Sequence, residues 1–462
     1  GYEKTPGERE TITQNIIWAD NNNENEGKDN DRPTTEEFKN QYTLSYHMKE
    51  TKTGDVLQGV LAEEDTTALS VFKLESFPAA ITKSGANRYK LEIKDLPTQM
   101  TYTDEYGDSV TYEIEWTIAP KNVAGYSLVN VTKNILNYWK GLSSITELGW
   151  YYMLNTDFSF NVVLRQGGKN GTDEIAQAVK DHFRMDVSCE GKNLNGVGIV
   201  KEPALNFNGS PTGVMTYQNV WKYNLDGARI TYDVVEREGV TKDKIVVDSL
   251  DSTVTGDYFA LTYDNSNSAN YGSITNEIHE NGTLYLTLTG KTGYEATKVW
   301  LDQGVEEKNR PTGEFQLWRY REGESYTTAA PVRDDKGDFY TCDLDTGKDS
   351  FPVKFDIEVN VQKELGLEKY DPEGYRYFYV SREYLNSINE DGKPADNYEQ
   401  VFGAVNEEGT KVTDRIEDKE ITKDEPYSRD NTNTFLYNGG TLSNRITENV
   451  TVAGEKEWKA AA

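Results

Sequence analysis

The sequence contains little cysteine and histidine, and this shortage limits the chemistry it can support. Its 462 residues include two cysteines, Cys189 and Cys342, which lie far apart in different sequence neighbourhoods. They predict no disulfide framework, and we expect both thiols to be inert. The three histidines fall in unrelated contexts, with no Ser-His-Asp, metal or phosphate-loop pattern around them. Catalysis on an external substrate is therefore not indicated, and we expect no cofactor or metal.

Positive charge is also scarce. The chain has 49 Lys and Arg against 78 Asp and Glu, which gives a formal net charge of −29. Such a chain repels phosphate backbones, so nucleic acid and anionic membrane surfaces are poor candidate partners. We find no signal peptide, sorting motif or apolar run of membrane-spanning length, and we expect no membrane insertion. The chain reads as a segment cut from a longer protein, and we expect a monomer.

Helical periodicity is the third scarce feature. It is clear only over residues 172–183, where Thr172 is a plausible N-cap and Ile175, Val179 and Phe183 share one stripe. Elsewhere thirty Tyr, eight Trp and many Thr and Val alternate with Asp, Asn and Gly clusters. This pattern predicts an all-β chain, and the length suggests roughly three domains of about 150 residues each.

Internal repetition divides the chain further. Three stretches share a spacing in which a Gly precedes a Tyr by five residues and a third position by nine. They are Gly107, Tyr112 and Trp116; Gly227, Tyr232 and Glu236; and Gly374, Tyr379 and Glu383. Because Gly allows tight turns and strand side chains alternate, each stretch predicts a turn followed by a strand.

Shorter motifs mark where each repeat begins and ends. "NIIWAD" (15–20) matches "TKVWLD" (297–302), "TKNILN" (132–137) matches more weakly, and "EKEWK" (455–459) starts again near the end. "LVN", "ITN" and "LSN" close the repeats. The predicted units are 10–130, 131–290 with the helical insertion, and 291–449, and residues 450–462 begin a fourth.

This ordered set resembles the B-type repeat domains of Gram-positive collagen adhesins and pilins. The resemblance rests on a Lys-x-Trp first strand, a Tyr-x-Val-x-Glu strand and a closing Asn strand, and it covers nearly the whole chain. It implies tandem immunoglobulin-like β-sandwiches. It also implies a spontaneous amide bond between a lysine on the first strand and an asparagine on the last, with an acidic residue beside it.

The residue types suit that chemistry. A lysine buried in an apolar core loses charge by deprotonating and becomes a nucleophile, whereas burial favours the protonated acid of a Glu. A neutral amine next to an Asn carboxamide that a protonated Glu polarises is arranged for acyl transfer, with ammonia leaving. The alternative for each lysine alone is a side chain whose amine reaches water at a strand end.

The resemblance assigns the roles by position. The second unit offers Lys133 and Asn276 for the bond and Glu236 as the promoting acid. The third unit offers Lys298, Asn444 and Glu383 in the same roles, and Lys456 would begin a fourth set.

The first unit departs from this pattern. Ile16 stands at the lysine position and Trp116 at the acid position, although Asn130 remains. A buried acid with no lysine beside it would cost desolvation energy, so an apolar pair is the expected replacement. We predict an uncrosslinked sandwich in which Ile16 and Trp116 face each other in the core near Asn130.

Two other features admit a binding role. Trp150, Tyr151 and Tyr152 stand together and could form a ligand-facing aromatic patch, or could cover the sandwich under the helix. Residues 20–31, "DNNNENEGKDND", could hold calcium, but their spacing fits no known loop, and a solvated loop is the alternative.

Two functions follow from these observations. The first is an extracellular stalk segment of a wall-anchored bacterial surface protein or adhesin, stabilised by the amide bonds. The second is a module that grips a host extracellular protein, such as immunoglobulin or a matrix component, through the divergent second unit.

Overall fold

The computed structural model describes residues 3–447 apart from 7, 62–76, 133–146, 197–198, 200, 251–255, 270–275, 325–327, 356–365, 402–411, 415–418 and 422–434. These residues are almost entirely β, as predicted. Two helices occur among them, α1 (Thr35–Phe38) and α2 (Asp173–His182). The second is the helix expected from the sequence. The Thr172 hydroxyl accepts a hydrogen bond from the Ile175 amide, and Ile175 and Val179 are buried.

Nine strands precede residue 132. They are β1 (Glu3–Pro6), β2 (Arg9–Ala19), β3 (Tyr42–Glu50), β4 (Val56–Val60), β5 (Ala79–Gly85), β6 (Arg88–Pro97), β7 (Gln99–Thr103), β8 (Ser109–Pro120) and β9 (Tyr126–Val131). One sheet has the order β1-β7-β8-β3-β4, and a second contains β5, β6 and β2. We call the pair of sheets the first sandwich.

The next strand, β10 (Gly149–Arg165), is shared between two sandwiches. Its first part lies parallel to β2, with Trp150 opposite Ile16 and Tyr152 opposite Trp18, and antiparallel to β9. Its second part pairs with later strands of the chain. The strand that lies parallel to the first strand is thus beyond residue 130, where the sequence motifs placed the end of the first unit.

The second sandwich combines the second part of β10 with nine further strands. They are β11 (Phe183–Cys189), β12 (Lys192–Asn193), β13 (Ala204–Asn206), β14 (Thr212–Trp221), β15 (Thr231–Glu236), β16 (Lys244–Ile245), β17 (Tyr258–Asp264), β18 (Glu277–Ile278) and β19 (Thr283–Thr289). One sheet contains β16-β17-β19-β10 with β14 and β13, and the other has the order β12-β11-β15-β18. Here β19 lies parallel to β10.

The third sandwich follows the same plan. Its strands are β20 (Lys291–Thr292), β21 (Glu295–Leu301), β22 (Gly313–Arg321), β23 (Ala330–Pro331), β24 (Thr341–Asp343), β25 (Ser350–Lys354), β26 (Leu367–Glu368), β27 (Tyr377–Leu385), β28 (Tyr398–Val401), β29 (Val412–Asp414), β30 (Lys419–Ile421), β31 (Leu436–Tyr437) and β32 (Thr441–Ile446). The sheet β25-β21-β32-β28 faces the sheet β23-β22-β27-β31, with β24 joined to β22. Again the first and last strands, β21 and β32, are parallel neighbours.

The cores follow this division. Buried apolar residues of the first two sandwiches form one continuous cluster, whereas those of the third sandwich form their own. A strand shared by two sandwiches explains the first cluster, because its inward side chains contribute to both cores. None of the helices in the described part of the chain has the length and apolar character needed to cross a membrane.

Candidate cross-link site

Lys298 is placed in the core of the third sandwich by strand alternation. On β21 the residues Ala296, Lys298 and Trp300 are buried, and Leu301 is exposed. Lys298 is 0% exposed, so its amine does not reach water. The parallel register sets Lys298 opposite Leu442 and Trp300 opposite Asn444, which is also fully buried. Strands β21 and β32 therefore carry Lys298 and Asn444 into the same core, two positions apart in the register.

Glu383 reaches this pair from the opposite sheet. It lies on β27 across from Phe315 and is 3% exposed. Its Oε1 accepts a hydrogen bond from Asn444 Nδ2 at 2.8 Å and another from Gln400 Nε2 at 3.3 Å. Its Oε2 lies 3.7 Å from Lys298 Nζ. The carboxyl group thus contacts both groups that the proposed bond would join.

Four buried polar atoms of this cluster have no hydrogen-bond partner. They are Lys298 Nζ, Glu383 Oε2, Asn444 Oδ1 and Gln400 Oε1. Leaving a buried polar group unpaired costs about 1–3 kcal/mol, and more for a charged group. Lys298 Nζ instead lies 3.3 Å from the centre of the Trp300 ring. An arrangement that is costly as a set of free side chains is explained if the groups react.

Burial shifts both titrations towards the reactive forms. Desolvation lowers the pKa of Lys298 to about 8, although the neighbouring Glu383 carboxyl acts in the opposite direction. Desolvation also raises the pKa of Glu383, against the effects of Lys298, Asn444 and Gln400. Burial thus shifts the Lys298 amine towards its neutral form and the Glu383 carboxyl towards its protonated form.

An acid–arginine pair holds the Trp300 side of the site. Arg310 donates two hydrogen bonds of 2.8 Å to Asp302, and the Tyr398 hydroxyl donates a third at 2.7 Å. The hydrogen bond from Arg310 is the main cause that lowers the pKa of Asp302 to about 2. The guanidinium lies 5.5 Å from the centre of the Trp300 ring. The Trp300 ring, which contacts the Lys298 amine, is therefore also held by the Arg310 guanidinium.

The first sandwich repeats this acid–arginine–tyrosine arrangement beside a tryptophan, without the lysine and the asparagine. Arg32 and the Tyr126 hydroxyl both donate to Asp20, and the Arg32 guanidinium lies 5.5 Å from the centre of the Trp18 ring. This match makes Ile16 the structural counterpart of Lys298. The residue opposite Trp18 on the parallel strand is Tyr152, at the place that Asn444 occupies opposite Trp300.

The structure corrects the predicted surroundings of this position. Ile16 and Trp116 are buried, as predicted. Trp116 packs against Tyr46 and Phe77. Asn130, however, is exposed on β9. It cannot be the buried amide near the two apolar residues, because the inward position on the parallel strand belongs to β10.

The aromatic patch predicted at Trp150, Tyr151 and Tyr152 is wrong as a ligand surface. The three side chains are 2%, 2% and 0% exposed. Tyr152 stacks on Trp18 with the ring centres 4.8 Å apart. The hydroxyls of Tyr151 and Tyr152 donate to the carbonyls of Glu147 and Lys121. They are buried because both faces of this part of β10 are covered, in addition to the pairing of its two edges with β2 and β9.

The acidic loop at 20–31 has protein partners for several of its carboxylates. Asp20 is paired with Arg32, and Asp31 accepts the Gly27 amide. Glu24 accepts from Lys222 and Tyr223 of the second sandwich. Three of its carboxylates are thus engaged by protein donors.

The trio predicted for the second unit is only partly described. Lys133 lies outside the described residues. Glu236 ends β15, where its Oε1 lies 2.7 Å from His182 Nε2 and accepts the Asp243 amide at 2.7 Å. Asn276 is half-buried just before β18, with a left-handed φ of 67°. Glu236 thus has an imidazole neighbour where Glu383 has an amine.

The parallel strands of the second sandwich carry apolar pairs. Val162 lies opposite Leu284 and Leu164 opposite Leu286, and all four are buried. Asn276 precedes the short strand β18 in the other sheet and does not lie on β19. The described part of this sandwich therefore shows no counterpart of the Lys298 and Asn444 pair on its two parallel strands.

Sequence motifs missed several residues that complete these sites. Gln400 and Tyr398 come from β28, a strand the motifs did not mark, and Tyr152 comes from a strand assigned to another unit. One signal was available for β10: seventeen residues from Gly149 to Arg165 contain no Pro and no internal Gly. Such a stretch can run unbroken through two domains.

No family model and no curated protein sequence matches the chain. Several solved structures are similar to it. The pilus adhesin SpaC from Lactobacillus rhamnosus GG, in an open conformation, is 9% identical with a TM-score of 0.16, and the match covers 96% of this chain and 45% of that one. The chain thus spans less than half the length of SpaC.

Two pilins are similar at the same level. A streptococcal ancillary pilin is 9% identical with a TM-score of 0.17, covering 95% of this chain and all of that one. The full-length major pilin SpaD from Corynebacterium diphtheriae is 11% identical with a TM-score of 0.19, covering 95% and 98%. TM-scores this low carry no argument about function, which rests on the site itself.

Proposed function

We propose that the chain is a stalk segment of a bacterial surface protein, and that a Lys298–Asn444 amide bond locks its third sandwich. The observation that carries the bond is the meeting of Lys298, Glu383 and Asn444 in one dry core, with an unpaired polar atom on each. The surface location and the stalk role rest on the resemblance to B-type repeats. The segment would act outside the cell, wall-anchored through other parts of its protein.

The reaction requires one acid and no cofactor. The neutral amine of Lys298 attacks the side-chain carbonyl carbon of Asn444, and a new C–N bond forms. The bond from that carbon to Nδ2 breaks, and ammonia leaves with a proton taken from the attacking amine. Glu383 relays this proton and, in its protonated form, donates a hydrogen bond to the carbonyl oxygen. Atoms balance as one amine and one carboxamide giving one amide and one ammonia.

The observed contact suits this role in either orientation of the amide. Asn444 Nδ2 lies 2.8 Å from Glu383 Oε1. A 180° rotation of the side-chain amide exchanges its oxygen and nitrogen. The protonated acid would then donate to Oδ1 over the same contact, which polarises the carbonyl. Fixed neighbours on adjacent strands supply the proximity that makes a slow acyl transfer feasible.

The host-binding alternative has less support than the stalk. Its candidate ligand-facing residues, Trp150, Tyr151 and Tyr152, are core residues, and the divergence of the second unit is the remaining observation in its favour.

Accurate intact mass tests the bond. We expect the chain to weigh less than its sequence mass by one ammonia, and a joined peptide containing Lys298 and Asn444 after digestion. The Lys298→Met variant should have its full sequence mass, and Lys354→Met, which changes an exposed lysine on the neighbouring strand, should still lose ammonia. A full sequence mass for the native chain would refute the proposal. A deficit of two ammonia molecules would add the predicted Lys133–Asn276 bond.

A further inference from the structure

Two loops in successive sandwiches share a pattern that the proposed cross-link does not use. "KYNLDGAR" (222–229) lies in the second sandwich and "KYDPEGYR" (369–376) in the third. Each begins with Lys-Tyr, turns at a Gly with φ near +80°, and closes with a β-bridge between the Tyr and the Arg. The lysine that begins each loop stands fourteen residues before the equivalent acid, Glu236 or Glu383.

In the third sandwich the Lys-Tyr pair, Lys369 and Tyr370, binds a carboxylate of the second sandwich. Lys369 Nζ lies 3.2 Å and 3.0 Å from the two carboxylate oxygens of Asp257, and the Tyr370 hydroxyl donates to Oδ2 at 2.6 Å. Asp257 precedes β17 of the second sandwich and is 5% exposed, and Lys369 is 9% exposed. The Lys369 amide also donates to the Gly290 carbonyl at 3.0 Å. The Lys369–Asp257 ion pair is therefore buried, and it joins the two sandwiches.

In the second sandwich the corresponding pair, Lys222 and Tyr223, binds a carboxylate of the first sandwich. Lys222 Nζ and the Tyr223 hydroxyl donate to the two carboxylate oxygens of Glu24, in the loop after β2. Burial acts against ionisation of Glu24, but the hydrogen bonds from Lys222 and Tyr223 outweigh it and lower its pKa. Two loops of the same sequence pattern thus take a carboxylate from the preceding sandwich in the same way.

The corresponding loop of the first sandwich has a different start. Counting back from its turn glycine, Gly107, the Lys-Tyr positions hold Tyr102 and Thr103. Thr103 lies in β7, and its hydroxyl bonds Ser109 within the same hairpin. The Lys-Tyr pair is therefore not needed to form the turn, because this loop makes a turn without it.

We propose that the Lys-Tyr pair is an intersandwich clamp, whose partner is a carboxylate of the preceding sandwich. A buried charge pair adds little net stability, but it fixes one geometry because either partner alone would be left uncompensated. The clamp would hold successive sandwiches at one angle, so that the segment behaves as a rod. The inference extends the stalk proposal, yet it is independent of the amide bond, which intact mass tests separately.

The two junctions differ in the contacts that they make besides the Lys-Tyr pair. β10 runs unbroken through the first junction. At the second, Gly374 approaches the second sandwich so closely that an added Cβ would lie 2.0 Å from the Arg165 carbonyl oxygen. At Gly227, the matching turn position in the first junction, an added Cβ would meet nothing within 4 Å. The two glycines have similar left-handed φ angles of 79° and 84°.

The test measures the distance distribution between sandwiches in the full chain. Spin labels are placed at Val214→Cys and Ile388→Cys, both exposed positions, with Cys342→Ser removing the accessible native thiol. Burial raises the pKa of the Cys189 thiol and protects it. We expect one narrow distribution, and clear broadening in Lys369→Met with Tyr370→Phe.

Two further variants keep the result decisive. Asp257→Asn removes the charge with little change in shape and should also broaden the distance distribution. It serves as the test if the Lys369→Met/Tyr370→Phe variant folds poorly. Lys354→Met with Tyr384→Phe changes one exposed lysine and one exposed tyrosine of the same sandwich and should leave it narrow. An unchanged width in the clamp variants, or equal broadening in this control, would overturn the proposal.

Gly374→Ala and Gly227→Ala form a matched pair for the same labels. Both substitutions strain a left-handed turn, but only Gly374→Ala pushes against the neighbouring sandwich. We expect broadening or a shifted distance for Gly374→Ala alone. Equal effects of the two would show that turn strain, and not the intersandwich contact, controls the angle.

Discussion

Replacing Lys298 with methionine removes the proposed bond while changing little else. Methionine keeps an unbranched apolar side chain of similar size, and volume-conserving exchanges in a core cost less than about 1.5 kcal/mol. Glu383 is left without the amine, but burial already favours its neutral, protonated form. Its hydrogen bonds with Asn444 and Gln400 remain available. The main change is the loss of the covalent link.

The size of the effect follows from the length of chain that the link encloses. Lys298 and Asn444 close a loop of roughly 150 residues, for which chain entropy alone gives about 5 kcal/mol of stabilisation. In a domain of this size each kcal/mol shifts Tm by about 2–4 °C. The third sandwich of Lys298→Met should therefore melt about 10–20 °C lower than in the native chain.

Calorimetry combined with proteolysis can assign this shift to the right sandwich. The third sandwich has its own core, so we expect its transition to move while that of the first two stays in place. Protease is applied at a temperature between the melting midpoints of the third sandwich in Lys298→Met and in the native chain. It should cut Lys298→Met after residue 290 and leave the native chain whole. The Lys354→Met control should melt as the native chain does. An unchanged transition in Lys298→Met would refute a covalent link at this lysine.

Three other predictions follow from the same contacts. Glu383→Gln should keep its full sequence mass, because an amide cannot relay the proton; loss of ammonia in this variant would remove Glu383 from the mechanism. Asn444→Ala cannot form the bond, so Lys298 remains a free amine in this variant. Because the pKa of Lys298 is lowered to about 8 in the folded chain, the unfolded chain binds more protons between about pH 8 and 10.5. The free energy of unfolding of Asn444→Ala should therefore rise with pH across that window, relative to the Lys298→Met/Asn444→Ala double variant. Parallel pH curves from urea titrations of the two would show that Lys298 titrates normally. Trp150→Ala should destabilise the first two sandwiches by about 3–5 kcal/mol in the same urea titrations, as expected for a core residue; a change within about 0.5 kcal/mol would place Trp150 at the surface after all.

The meeting of Lys298, Glu383 and Asn444 could be predicted because the motifs that mark them are local. Lys298 and Trp300 stand two residues apart in one strand, so alternation alone places the amine on the same face as a core aromatic. Glu383 stands at a fixed distance from a turn glycine, Gly374. Each of these relations survives in a short motif, and repetition along the chain made the motif visible.

Strand pairing between distant segments could not be predicted in the same way. The letters "LVN" at 128–130 match the closing motif, yet the strand that lies parallel to β2 is β10, whose first residue is Gly149. Three letters recur by chance, and nothing in them records which strand becomes the neighbour. The aromatic residues 150–152 were misinterpreted for the same reason, because the elements that cover the two faces of this strand come from distant parts of the sequence.

The parallel contact between first and last strands has a mechanical meaning in all three sandwiches. A pull on the two ends of such a sandwich shears these neighbouring strands against each other, so many hydrogen bonds must fail together. In the first sandwich that contact joins β2 to β10, and β10 continues directly into the second sandwich, where it contacts β19. In the proposed stalk the load would then pass to β21, where parallel pairing to β32 is the last step among the described strands. None of the described strands of the third sandwich is shared with a neighbour, and it is there that the proposed Lys298–Asn444 bond would replace hydrogen bonds with a covalent one.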